Sequence, residues 1–178
     1  MRGFTLVELI TVAAITLILS GIILTSFRSG QANLALDRSA HKLSQDIRRA
    51  MELTLRAQSL GVCATISGYG VYMHTDNPLY LKEYRIFGDC NANKRYNEGA
   101  GADVAVEVLQ FEKGVKILSV SLDGTLKDQV HIFFIPPDPQ VEINPGPAAT
   151  AQVILQLEND PSRVKTLTIN NKGVIDID

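Results

Sequence analysis

The N-terminal part of the chain carries a long apolar run, residues 4–27, in which Glu8 is the only charged side chain. As a helix rising about 1.5 Å per residue, this run would extend about 36 Å, which exceeds the roughly 30 Å hydrocarbon core of a bilayer. The pattern therefore predicts a membrane-spanning helix over residues 4–27.

The next segment, residues 28–60, keeps the three- and four-residue spacing of an amphipathic helix. We expect it to continue the first helix and to pack its apolar stripe on a sheet. The stripe comprises Ala32, Leu36, Ala40, Leu43, Ile47, Ala50, Met51 and Thr54. The polar face comprises Asp37, Arg38, His41, Lys42, Gln45, Asp46, Arg48, Arg49, Glu52 and Arg56.

Residues 61–178 contain short runs of β-branched and aromatic residues, separated by Gly, Pro, Asn and Asp, which is typical of strands joined by turns. The predicted strands are 62–67, 70–74, 82–87, 104–111, 115–122, 130–135, 151–157, 164–169 and 174–177. Tight hairpins are predicted at Asp123-Gly124 and at residues 170–173, because these residue types tolerate positive φ. The expected fold class is α+β: a long N-terminal helix packed on a mainly antiparallel β-domain.

Prolines concentrate in residues 136–147. Proline has no N–H to give to a strand ladder, so this stretch cannot be a central strand throughout. We expect a surface loop or a sheet edge there, which could also be a docking surface.

Glu8 needs a partner, because a carboxylate in a membrane segment costs on the order of 2.5–3.5 kcal/mol on insertion scales. A secretory signal peptide is one alternative, but the apolar stretch is too long for it and no A-x-A-like site follows Ser26. A plain anchor is another alternative, and it leaves Glu8 unexplained unless the carboxylate is paired within its own helix.

The residues from Gly3 to Ile10, GFTLVELI, followed by the long apolar helix, resemble the prepilin processing motif of type IV pilins and type II secretion pseudopilins. The resemblance implies that a prepilin peptidase removes a leader of residues 1–3 by cutting after Gly3 and N-methylates Phe4. It also implies other pilin or pseudopilin subunits, an inner-membrane assembly platform and membrane lipid as partners. The globular domain would lie outside the cytoplasm.

Cleavage at this point would create a terminal amine at Phe4, four residues from Glu8. In a filament, that amine can approach Glu8 of a neighbouring subunit, and a head-to-tail contact that does not close generates an open helical assembly. Two features depart from the family pattern: the leader is short, and no proline precedes Pro78. Arg2 and Arg28 nearly balance across the span, so orientation depends on the processing motif more than on positive charge.

A looser resemblance covers the globular part, where residues 68–72, GYGVY, and the segment 87–96 are similar to H-type minor pseudopilins and related minor pilins. The chain is thus expected to be a structural subunit with a leader (1–3), a filament-core helix (4–27), its amphipathic continuation (28–60) and a β-rich domain (61–178). The alternative is a single-span protein whose β-domain binds a ligand without polymerising.

Cys63 and Cys90 are the only cysteines. An even count in a domain exported across a membrane favours a disulfide over two free thiols. No His lies near either cysteine in the sequence to suggest a nucleophile or a zinc site.

Asp89, Asn91 and Asn93 place side-chain oxygens at positions 1, 3 and 5 of a loop, as in calcium sites of the D-x-[DN]-x-[DN] type. Lys94 stands where such loops have glycine, and the distal bidentate Glu is missing. An Asx-rich turn without metal explains the same residues. We therefore expect no cofactor, and calcium at these three residues is kept as a side hypothesis.

The net charge of −2 and the absence of a basic cluster argue against general electrostatic binding of nucleic acid. The sequence shows no Ser/His/Asp spacing and no phosphate-binding glycine loop, and His41, His74 and His131 are isolated from one another. We therefore expect no enzymatic activity. His41 is expected to be solvated, and His131 is expected to be a core or sheet-face residue.

Overall fold

The computed structural model describes residues 5–56, 63, 65–78, 80–98, 103–137 and 140–178. The chain divides into two compact units, residues 1–34 and residues 35–178. The predicted leader (1–3) and the processing residues Gly3 and Phe4 lie outside the described residues.

Helix α1 runs from Leu6 to Leu55, so the apolar and amphipathic segments form one helix of 50 residues, as expected. The described helix ends at Leu55 and Arg56 is in a turn, whereas the predicted end at residue 60 lies outside the described part. In the first unit, Leu6–Ile23 has a mean hydropathy of 2.4 and none of it is buried. This segment is long and apolar enough to cross a membrane as a single-pass anchor.

In the second unit, α1 buries most of the predicted apolar stripe, and Ala40, Leu43, Ile47 and Ala50 are fully inaccessible to solvent, while Met51 is half-buried. Asp46 was predicted on the polar face, but it is only 9% exposed. The reason is a partner that the sequence pattern could not supply, because the Tyr84 hydroxyl donates to Asp46 Oδ2 at 2.6 Å.

Within the residues that the structure describes, ten strands form two antiparallel sheets. The first sheet has the order β3-β2-β1-β6-β7 and the second has the order β10-β9-β8-β4-β5. The strands are β1 Tyr69–His74, β2 Glu83–Gly88, β3 Val104–Gln110, β4 Val115–Leu122, β5 Thr125–Lys127, β6 Gln129–Ile135, β7 Gln140–Asn144, β8 Thr150–Leu157, β9 Val164–Asn170 and β10 Ile175–Ile177.

Eight of the predicted strands are present, and none of their ends is shifted by more than one residue. The strand predicted over 62–67 was wrong, because its described residues (63 and 65–67) are not in a strand. Their backbone joins the first sheet only at its margin, where Ser67 N donates to Asp89 O at 2.8 Å. Two short strands, β5 and β7, were not predicted.

Both predicted hairpins are present. Asp123 and Gly124 adopt φ values of 47° and 78° between β4 and β5, and residues 171–174 join β9 to β10. The proline-rich stretch contains β7, which is an edge strand of the first sheet, in agreement with the predicted sheet edge.

Strand β1 lies at the centre of the first sheet, paired with β2 on one side and β6 on the other. Gly70 allows this close packing, because a Cβ there would come within 2.7 Å of Ile132 O and 2.8 Å of the Phe87 ring. Val71 and Met73 are buried, while Tyr72 and His74 are partly exposed. The alternation of β1 therefore places Tyr72 and His74 together on the opposite face.

Candidate functional site

The N-terminus of α1 is closed by a capping box formed by Thr5 and Glu8. Glu8 Oε2 accepts from Thr5 N at 3.0 Å and from Thr5 Oγ1 at 2.9 Å, while Glu8 N donates to Thr5 Oγ1 at 3.3 Å. This is the internal pairing that the sequence analysis left open, and it satisfies N–H groups that helix geometry leaves unbonded. In the described part of the chain, no basic side chain forms an ion pair with Glu8.

From Leu6 to Ile23, the apolar side chains of α1 are exposed over five turns. A surface of this kind requires lipid or other apolar chains around it, because isolated soluble units rarely expose such a contiguous patch. Its large members are Leu6, Val7, Leu9, Ile10, Val12, Ile15, Leu17, Ile18, Leu19, Ile22 and Ile23.

Cys63 and Cys90 form the predicted disulfide, with their Cα atoms 5.9 Å apart. The bond ties the chain that follows α1 to the end of β2, where the loop of residues 89–98 begins. The two-free-thiol alternative is therefore wrong.

The loop of residues 89–98 (the Asx loop) is built from consecutive side-chain-to-backbone hydrogen bonds. Asp89 accepts from Asn91 N at 3.1 Å and from Lys94 N at 2.9 Å. Asn91 accepts from Asn93 N at 3.1 Å, and Asn93 accepts from Arg95 N at 2.8 Å. The three residues proposed as calcium ligands thus form the Asx turns of the alternative explanation.

Asp103 closes the Asx loop from its far side, and the sequence analysis did not single it out. Its carboxylate accepts from Cys90 N at 3.0 Å and from Asn97 N at 2.8 Å. Burial raises the pKa of Asp103, and the neighbouring Asp89 carboxylate adds to that rise. Within the described ranges, no group of three or more His, Cys, Asp or Glu side chains is placed to hold a metal ion.

His131 anchors the Asx loop to β6. Its Nδ1 accepts from Tyr96 N at 3.0 Å, and its ring stacks on Tyr72 with centroids 4.7 Å apart. Burial lowers the pKa of His131 to about 4, with a smaller contribution from the Arg95 cation. His131 is therefore a neutral acceptor at neutral pH, which agrees with the predicted core position.

Comparison with protein-family models, curated proteins and solved structures finds no match.

A second feature of the first sheet is a cavity of about 270 Å³ between β1, β2 and the end of the Asx loop. The Arg85 guanidinium lies 5.0 Å from the centre of the Tyr80 ring and 5.6 Å from that of Tyr96. The cavity is lined by Tyr72, His74, Tyr80, Arg85, Tyr96, Asn97 and Glu98.

Sequence reasoning did not find this cavity, although part of its signal was available. Tyr72 and His74 are two residues apart in a predicted strand, and Glu83 and Arg85 repeat that spacing in the next, so each pair shares a face. The register that places Tyr72 opposite Arg85 follows from the β1–β2 pairing, and no sequence pattern specified it.

Proposed function

We propose that the chain is a structural subunit, a minor pilin or pseudopilin, that assembles through its N-terminal helix into a type IV pilus or a type II secretion pseudopilus. The observation that carries this proposal is the lone Glu8 carboxylate, which lies within the prepilin-like residues 3–10 and in the first turns of an exposed apolar helix. A prepilin peptidase would cleave after Gly3 and N-methylate Phe4.

The exposed length of α1 suits a helix that exchanges lipid contacts for contacts with other helices. In such packing, small residues allow close approach of the backbones. Ala13, Ala14, Ser20 and Gly21 supply them, and a Cβ at Gly21 would meet nothing within 4 Å, so that surface is open to a neighbour. Other subunits, an inner-membrane assembly platform and lipid are the partners that this role requires.

The capping box supports a specific role for Glu8. Both bonds to its carboxylate come from Thr5, the residue after Phe4, so the negative charge is held at the end of the helix where cleavage would create a new amine. In a filament, the corresponding amine of a neighbouring subunit would neutralise it. The partly positive helix N-terminus stabilises the carboxylate until then.

The Cys63–Cys90 disulfide supports an extracytoplasmic location for the β-domain, because structural disulfides persist mainly in oxidising compartments. The anchor would then cross the cytoplasmic membrane once, with the β-domain outside and later on the filament surface.

The alternative from another class is a single-span protein whose β-domain binds a ligand without polymerising. The aromatic cavity beside Arg85 is the observation that favours it. The two proposals differ at the N-terminus, because only the first requires cleavage after Gly3.

The deciding experiment is intact-mass and N-terminal peptide analysis of the full chain expressed with and without a prepilin peptidase. A start at N-methylated Phe4 that depends on the peptidase is the expected result. An intact Met1 start under both conditions would contradict the filament proposal and favour the non-polymerising anchor.

A further inference from the structure

Arg85 occupies a fixed position at the base of the aromatic cavity. Its side chain is only 13% exposed, and its Nη2 lies 3.2 Å from Glu83 Oε1 on the same face of β2. The Glu83 side chain is itself 17% exposed, so this pair belongs to the folded interior of the sheet face. The rings of Tyr80 and Tyr96 also lie within cation–π distance of the guanidinium.

The second terminal nitrogen, Arg85 Nη1, faces the cavity. It pairs with Glu98 and lies 3.5 Å from the Tyr96 hydroxyl. Glu98 differs from Glu83 in one respect that matters: its side chain is 60% exposed. Because the Glu98 carboxylate is solvated and Arg85 keeps its pair with Glu83 when Glu98 moves away, water or another anion can replace Glu98 at little cost.

The cavity extends beyond the ion pair, and its remaining lining offers both hydrogen-bonding groups and ring edges. Tyr72, His74, Tyr80 and Asn97 surround a volume of about 270 Å³, which is larger than a carboxylate alone needs. An acidic amino-acid residue fits this chemistry, because Glu98 already demonstrates that a glutamate side chain can reach Arg85 from solvent.

We propose that the Arg85 cavity is a receptor for a carboxylate of a partner polypeptide, and that Glu98 is an internal carboxylate which occupies the same position until the partner displaces it. Glu83 remains paired with Nη2 when this happens. The incoming carboxylate accepts from Nη1 in a charge-assisted hydrogen bond. This inference is independent of the proposed filament function.

Charge explains why displacement is needed. With Glu98 in place, the single Arg85 cation faces two carboxylates, and a third would be repelled. Once Glu98 leaves, the incoming group restores the original balance. A variant that removes the Glu98 charge should therefore bind an external carboxylate more tightly, whereas a site for cations would lose affinity.

The test is a titration of the full chain in detergent micelles, at constant ionic strength, followed by the amide resonances of Tyr96 and Asn97. The probes are N-acetyl-glutamate N-methylamide and its neutral isostere N-acetyl-glutamine N-methylamide. We expect Glu98→Gln to bind the glutamate probe about two- to fivefold more tightly than the unaltered chain. N-acetyl-alanine carries a free terminal carboxylate. Comparing its affinity with that of the glutamate probe shows whether the cavity prefers a side-chain or a C-terminal carboxylate.

Glu112→Gln is the matched control, since Glu112 is also a partly exposed carboxylate in an ion pair, with Arg38 at 3.0 Å. It should leave the affinity unchanged. Arg85→Lys should weaken binding, because a lysine cannot keep the ring contacts and cannot donate to Glu83 and to the incoming carboxylate from the two ends of a planar fork. Equal responses to the two probes in Glu98→Gln, or affinity no higher than in the unaltered chain, would overturn the proposal even if Arg85→Lys failed to fold.

Discussion

Two buried polar residues, Asp46 and His131, each hold a separate segment on the first sheet. Asp46 receives the Tyr84 hydroxyl and joins α1 to β2, while His131 receives Tyr96 N and joins the Asx loop to β6. Burial, followed by the Asp46 carboxylate, raises the pKa of Tyr84 far above its ordinary value, so the phenol is a hydrogen-bond donor at neutral pH.

Replacing Tyr84 with Phe should lower the free energy of unfolding by about 1.5–3 kcal/mol, because it removes a donor from a buried carboxylate. Urea unfolding of the full chain in micelles measures this. The double variant Asp46→Leu/Tyr84→Phe should recover most of the loss, since neither polar group remains. A double variant that is less stable by the sum of both single changes would contradict this explanation.

The stability of the β-domain should fall on acidification because of His131. Its pKa is about 4 in the folded chain and roughly 6.5 when unfolded, so the unfolded state binds the proton first as the pH drops. The loss begins near pH 6.5 and reaches about 3 kcal/mol by pH 4. The variant His131→Asn keeps a hydrogen-bond acceptor but does not titrate. Its free energy of unfolding should therefore fall less than that of the unaltered chain over this pH range. If the free energy of unfolding falls equally with pH in His131→Asn and in the unaltered chain, His131 is not the cause of the acid destabilisation.

At the scale of elements, the Asx loop is secured at both ends and along its length. The disulfide fixes its first residues, Asp103 accepts from Cys90 N and Asn97 N, and Lys94 Nζ lies 2.6 Å from Glu142 Oε2 on β7. A loop with this many attachments behaves as a part of the sheet, which explains how it can form one wall of the Arg85 cavity.

Removing the disulfide with Cys63→Ser/Cys90→Ser should destabilise the chain by about 3–4 kcal/mol, because a bond between cysteines 27 residues apart restricts the unfolded ensemble. The midpoints of urea unfolding of the two proteins give this difference in the free energy of unfolding. Reduction of the unaltered chain should reproduce the effect of the double variant. If a reductant leaves the midpoint unchanged, the bond contributes little to stability.

The elements also mark where sequence patterns are sufficient. Helix α1 and eight strands follow from periodicity, and the hairpin at Asp123-Gly124 follows from residues that tolerate positive φ. The short edge strands β5 and β7 were missed because three to five residues give too little alternation, and prolines flank β7. The burial of Asp46 and the Arg85 cavity depend on pairings between distant segments, which periodicity does not encode.

At the scale of the whole molecule, Glu8 has two separable roles: it caps α1, and in the proposed filament it pairs with another subunit. Glu8→Gln separates them, because glutamine also serves in capping boxes but carries no charge. We expect this variant to insert into the membrane and fold, yet to be lost from sheared filaments. To measure this loss, each variant is co-expressed with the assembly machinery, and its amount in the sheared filament fraction is quantified.

Thr5→Ala is the matched control for this prediction. It removes the capping hydroxyl, at a cost of about 1 kcal/mol to the helix end, and leaves the Glu8 charge in place. Filament incorporation should persist. The reverse outcome, in which Glu8→Gln assembles normally and Thr5→Ala does not, would assign Glu8 to helix capping alone.

The two sheets are completed at different points of the chain. Every strand of the first sheet precedes Pro145, whereas β4 of the second sheet pairs with β8, and the edge strand β10 ends only at Ile177. A nascent chain that emerges N-terminus first can therefore finish one sheet while β4 still lacks β8, the strand that pairs along its whole length in the finished fold. A premature stop after residue 144 would leave that edge of β4 permanently unpaired and mark the product for chaperones and proteases.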